Sequence, residues 1–141
     1  MKPFFLIFTL LLVGCEKEKI ELLTDFERNK KKWESLTIDS YTYTFQISCY
    51  CTFDTTAPKK VEVLKGRIHQ VNRMPYDSEL HWGVLTIPQL FDRIEEAEKN
   101  NAVVVEVQYH PEKGYPVSVY IDQDKMIADE EMGYSVTDLY H

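Results

Sequence analysis

The chain has 141 residues, with 16 Lys and Arg against 23 Asp and Glu, for a net charge of −7. That balance argues against nucleic acid or an anionic lipid surface as a partner, because both are held by a basic face. The length suits a single globular domain, and an apolar content of 44% argues against a disordered chain.

The first residues, Met1-Lys2-Pro3, lead into the apolar run Phe4–Val13. A helix needs about 20 apolar residues to span a bilayer. This run is shorter and has the length of an export-signal apolar region. It ends in Leu12-Val13-Gly14-Cys15, which resembles the bacterial lipobox. In that signal the Cys thiol takes a diacylglyceryl group, a peptidase cuts before the Cys, and the new amine is acylated. The polar run Glu16-Lys17-Glu18-Lys19 begins at once after Cys15. The expected organisation is therefore a signal peptide over 1–14, a lipidated tether over 15–23 and one domain over 24–141. The resemblance implies a cell-envelope lipoprotein. Glu16, where many inner-membrane lipoproteins carry Asp, points to the outer membrane. Removal of 1–14 takes away one charge, Lys2, leaving 15 basic against 23 acidic residues and a net of −8.

Thr24-Asp25-Phe26-Glu27 is a capping-box pattern and opens a helix from Asp25 to about Leu36. Phe26, Trp33 and Leu36 share its apolar face. Tyr41–Cys51 alternates with period two, which places Tyr41, Tyr43, Phe45, Ile47, Cys49 and Cys51 on one side of a strand. A loop follows at 52–58. Lys60–Leu64 and Arg67–Val71 read as a hairpin around Lys65-Gly66. Arg73–Leu85 has no clean period and reads as a long connection. Thr86, Pro88 and Gln89 begin a second helix whose stripe is Ile87, Leu90, Phe91, Ile94 and Ala97. Asn100-Asn101 ends it. Ala102–His110 and Tyr115–Asp122 form a second hairpin, and a short last strand falls near Tyr134–Leu139. The fold class that follows is α+β. It is a two-layer sandwich in which an antiparallel sheet of about five to six strands, in the order helix-βββ-helix-ββ(β), carries two helices on one face.

Several features then coincide in order and spacing: Trp33 before Ile38-Asp39-Ser40-Tyr41, Ser48-Cys49-Tyr50-Cys51, Val61-Glu62-Val63 with Gly66, and Thr86-Ile87 with Leu90-Phe91. Gly114-Tyr115-Pro116, Ile121-Asp122 and Asp129-Glu130-Glu131 complete the set. From Trp33 onward the chain resembles the bacterial family called Domain of Unknown Function 6174, found in secreted proteins and lipoproteins. That family brings no activity, cofactor or catalytic residue to carry over.

With Cys15 taken by lipid, Cys49 and Cys51 remain as a pair in a compartment where disulfides persist. A structural bridge or two inert thiols, a redox pair, and a metal site are the three readings of Cys49-Tyr50-Cys51. The metal reading needs further ligands such as His69, His81 or His110, and their spacing matches no zinc pattern. The acidic stretch Asp122–Glu131 fails the calcium-loop pattern, with Ile127 where Gly is required and Gly133 where Glu is. It reads as a solvated loop with one carboxylate capping local backbone. No catalytic set, cofactor loop or nucleophile elbow is legible, so no cofactor is expected. Tyr50, Trp82 and Tyr120 are candidates for a recognition surface, since exposed aromatics favour interfaces. The expectation is a non-catalytic binding or structural module, held at the membrane by lipid on Cys15, that meets an envelope protein or small ligand. The alternative is a redox or metal-binding protein that uses Cys49 and Cys51.

Overall fold

The computed structural model describes residues 24–127 and 129–141. The expected export signal and tether lie outside the described residues. The elements in chain order are α1 (Asp25–Ser35), β1 (Tyr41–Ser48), α2 (Phe53–Thr56), β2 (Lys59–Leu64), β3 (Arg67–Val71), β4 (Met74–Pro75), α3 (Ile87–Lys99), β5 (Val104–Tyr109), β6 (Pro116–Asp122) and β7 (Met132–Tyr140). The strands make one antiparallel sheet of seven in the order β4-β3-β2-β1-β7-β6-β5. The class is α+β, with more strands than the five to six expected and a third, short helix.

The central strand sets the polarity of the sheet. Tyr41, Tyr43, Phe45 and Ile47 on β1 are buried, while Gln46 and Ser48 are exposed. The buried row meets α1 and α3. Trp33 of α1 lies edge-on to Tyr41 at 5.5 Å and to Tyr115 at 5.8 Å. Phe26 meets Phe91 of α3 edge-on at 5.9 Å, and Phe91 stacks on Tyr109 at 6.2 Å. These contacts put both long helices against the same face. The five residues of the α3 stripe, Ile87, Leu90, Phe91, Ile94 and Ala97, are all buried.

Both capping boxes form. The Glu27 amide donates to the Thr24 hydroxyl at 3.2 Å, and the Thr24 amide donates to the Glu27 carboxylate at 2.8 Å. At α3 the Gln89 amide donates to Thr86 Oγ1 at 3.3 Å and the Thr86 amide to Gln89 Oε1 at 2.9 Å. A third free donor of α3, the Ile87 amide, donates to the Tyr41 hydroxyl at 3.0 Å. Next to it, the Tyr43 hydroxyl donates to the Leu85 carbonyl. Two neighbouring sheet tyrosines thus hold the entry to the helix, in place of solvent.

Burial raises the pKa of these phenols. Desolvation pushes Tyr41 up to about 12, and it pushes Tyr43 well above the ordinary value of 10.0. The folded chain keeps protons that the unfolded chain loses above about pH 10. Stability from the neutral phenols is therefore complete below that pH and falls as pH rises. Tyr41 alone accounts for a loss of about 2 kcal/mol by pH 12. Tyrosinate absorbance should show a delayed fraction that titrates with loss of structure. Uniform titration near pH 10 with an unchanged denaturant midpoint would contradict this.

Four parts of the sequence expectation need correction. The first strand stops at Ser48, not Cys51. Bonded Cys49 and Cys51 have their Cα atoms 5.2 Å apart, whereas two extended residues span about 6.6 Å. The chain bends there, and the Cys51 amide donates to the Cys49 carbonyl at 2.9 Å. Cys49 packs half-buried against the core, but Cys51 is exposed, so the two do not share the apolar face. Second, the expected loop at 52–58 contains α2. Third, the connection at 73–85 begins with β4, which folds back on β3 through Asn72 and Arg73 at φ 52° and 66°. Two successive left-handed residues make a tight hairpin turn without any glycine to announce it. The last strand also extends beyond its expected limits, to Met132–Tyr140.

Candidate functional site

One end of the sheet gathers the features that the sequence singles out. β1 ends there, β6 ends there and β7 begins there, with Ser48 opposite Gly133, and Gly133 in turn opposite Tyr120. Two connections leave this end, 49–58 after β1 and 123–131 after β6. A third segment reaches it from the helical side. A Cβ on Gly83 would fall 2.8 Å from Ile47 Cδ1, so the backbone at 83 lies against the last buried side chain of β1.

The Cys49–Cys51 bridge sits at the exit of β1. Tyr50, between the two cysteines, is 84% exposed, and Phe53, two residues beyond, is 83% exposed. Trp82, beside Gly83, is 57% exposed, and Met126 in the 123–131 connection is 92% exposed. Large apolar side chains left this open in one region mark an interaction surface more often than isolated ones do.

The bend and α2 are fixed from beneath. Lys59 is buried, and its Nζ donates to the carbonyls of Asp54, Thr55 and Ala57 at 2.8, 2.7 and 3.1 Å. Gln46 Nε2 donates to the Thr56 carbonyl at 3.1 Å. A cation at the end of a helical turn satisfies carbonyls that have no partner in the chain. Desolvation lowers the Lys59 pKa, and Asp54 opposes that shift. These contacts hold α2 to the sheet, so Phe53 is presented outward by a fixed support.

Tyr120 is placed differently. It is 40% exposed and alternates with buried Val119 and Ile121, which puts it on the sheet face away from the helices. Trp82 lies in the layer on the helical side. The three aromatic candidates therefore border the same end from opposite layers. Sequence periodicity gave the face of Tyr120 but not the position of Trp82. Phe53 and Met126 lie in segments with no periodic signal.

The acidic stretch behaves mostly as a turn. Asp124 Oδ1 accepts from the Met126 amide at 2.9 Å, so one carboxylate does cap local backbone. Asp122 is buried, with one carboxylate oxygen lacking a hydrogen-bond partner. Among the described residues, no three His, Cys, Asp or Glu side chains come together as a metal site. His81 is buried, stacks on Tyr76 at 5.8 Å, and accepts the Asp77 amide on Nδ1 at 3.1 Å. His110 stacks on Tyr115 at 4.9 Å. Both are packing residues. A hollow of about 370 Å³ lies between α1 and α3, with Lys30, Trp33, Pro88 and Phe91 in its wall.

Residues 25–141 match the model of a family described as "Family of unknown function (DUF6174)". The chain belongs to this family. The match covers α1 through β7, so it includes the first helix as well as the stretch from Trp33 onward that carries the resemblance. No curated protein and no solved structure matches the chain. Among the described residues, no helix is long and apolar enough to cross a membrane.

Proposed function

We propose that this member of the family is an envelope lipoprotein held by lipid on Cys15, and that its domain works by binding a protein partner at the end of the sheet around Tyr50, Phe53 and Trp82. The anchor is supported by a single sequence feature, the apolar run that ends in Leu12-Val13-Gly14-Cys15. Binding is supported by the exposed apolar side chains at one end and by the fixed support that Lys59 gives to α2. Several acyl chains on one terminus would hold the protein firmly, at about 0.8 kcal/mol for each buried methylene. The tether 15–23 then sets the domain off the surface. The outer membrane is the favoured location, with Glu16 in place of Asp as the reason.

Bridged sulfurs are not thiolates, so the oxidised pair does not ligate a metal, and the metal alternative has no gathered set of side chains to draw on among the described residues. Two measurements test the proposal. Membrane fractionation should find the native chain with lipid and the Cys15→Ser chain released. A Cys15→Ser chain that stays membrane-bound overturns the anchor. A photo-crosslinking residue placed at position 50 should capture a discrete partner in cells, and one at position 140, at the opposite end of the sheet, should not. Equal capture at both positions, or at neither, overturns the binding site.

A further inference from the structure

We infer that Cys49–Cys51 is a thiol–disulfide exchange site that oxidises a cysteine-bearing polypeptide docked on the apolar end of the sheet. The inference rests on that docking surface but not on the lipid anchor.

The bridge does little that the fold needs. It joins residues two apart, so the loop that it closes is about as short as a disulfide can close, and the constraint that it puts on the unfolded chain is correspondingly small. The turn it spans is already held by the Cys51 amide donating to the Cys49 carbonyl. β1 is paired through Ser48 before the turn, and α2 is fixed after it by Lys59 and Gln46. Reduction therefore leaves its surroundings in place.

The two sulfurs are also unequal. Cys49 packs against the core, whereas Cys51 is exposed, which makes Cys51 the sulfur open to attack. Tyr50 and Phe53 stand exposed on either side of Cys51 and offer an apolar rest to a peptide but nothing to a small thiol.

The chemistry balances with the bridge as the oxidant. A substrate thiolate attacks Cys51 Sγ. The Cys49–Cys51 bond breaks, a mixed disulfide forms on Cys51, and Cys49 leaves as a thiolate that takes a proton. A second substrate thiolate attacks the substrate sulfur of the mixed disulfide and releases Cys51, which is protonated in turn. The substrate dithiol loses two electrons and becomes a disulfide, and the protein pair becomes a dithiol.

The test uses the full-length chain with Cys15→Ser, so that no third thiol takes part. The oxidised chain is mixed with a reduced peptide that carries two cysteines, and both masses are followed. The peptide should lose two hydrogens and the chain gain two, at a rate at least about tenfold above that of oxidised glutathione. A Tyr50→Ser, Phe53→Ser double variant should slow the peptide reaction and leave reduction by dithiothreitol unchanged. In a Cys49→Ser variant the disulfide form of the peptide should be trapped on Cys51, and a Cys51→Ser variant should trap far less. Exchange no faster than glutathione, trapping that favours Cys49, or unfolding on reduction would each overturn the inference. Anchoring and crosslinking are read separately, so an inert bridge leaves those results standing.

Discussion

A Trp33→Ala chain should lose about 3–5 kcal/mol of stability. Trp33 is the only buried residue of α1, and its indole lies edge-on to one tyrosine from the centre of the sheet and another just before β6. Phe26 and the long-range Lys30–Glu95 ion pair, at 3.9 Å, remain after the substitution. A half-buried ion pair of that length, still in contact with solvent, contributes little. Small domains are stable by about 5–15 kcal/mol in all, so the loss is a large share of the total. The damage should be local as well as global, because truncation removes part of the wall of the hollow between α1 and α3. Urea unfolding should show the lowered midpoint, and limited proteolysis should cut first within α1. A loss under about 1 kcal/mol would mean that α1 is held by something other than Trp33.

A Gly114→Ala chain should lose about 2–4 kcal/mol, for two separable reasons. Gly114 closes the β5–β6 turn at φ +78°, where any side chain is strained. Its missing Cβ is also where α1 rests. An added carbon would fall 2.5 Å from the Asn29 carbonyl oxygen and 3.0 Å from Lys32 Cβ. Lys32 Nζ donates to the Pro111 carbonyl at 2.8 Å across the same contact, so the helix has little freedom to retreat. Gly66 is the control. It has φ +76° in the β2–β3 turn, but nothing lies within 4 Å of an added Cβ. Gly66→Ala should therefore cost about 1 kcal/mol, the strain alone. Denaturant midpoints of the two variants isolate the collision as their difference. Equal losses would show that α1 does not depend on the close approach.

Legibility in the sequence followed the length of each periodic signal. The row Tyr41, Tyr43, Phe45, Ile47 and the stripe Ile87, Leu90, Phe91, Ile94, Ala97 are long enough to fix an element and its buried face together. The two capping boxes placed the helix starts to the residue. Lys65-Gly66 announced a turn because glycine marks the left-handed region, whereas Asn72-Arg73 takes up the same kind of turn without that mark. β4 and α2 span two and four residues, about one hydrophobic repeat each, so no periodicity reveals them. Asp138, at φ 51°, lies where the register shifts between β1 and β7, a bulge that lengthens the last strand beyond its apolar core.

At the site, Cys49-Tyr50-Cys51 continues the alternation of β1 in letters while departing from it in space. Alternate strand residues are too far apart to be bonded without a bend, so the sequence already held the contradiction. Lys59 gave no warning at all. A lysine in a strand reads as solvent-facing, and only the carbonyls at the end of α2 explain its burial. Trp82 depends on Gly83 approaching Ile47, a tertiary contact with no local signature.

The order of the sheet carries a further consequence. β1 and β7, the first and last of the described strands, are neighbours at its centre, and the halves β4-β3-β2 and β6-β5 are joined through them. In a chain made from its N-terminus, the strand that completes the middle emerges after the other six described strands. Pairing between segments so distant in sequence is also slow, because a large loop must close before it is rewarded. The centre of the sheet therefore cannot close until β7 is in place, and deletion of β7 would separate the two halves rather than trim an edge.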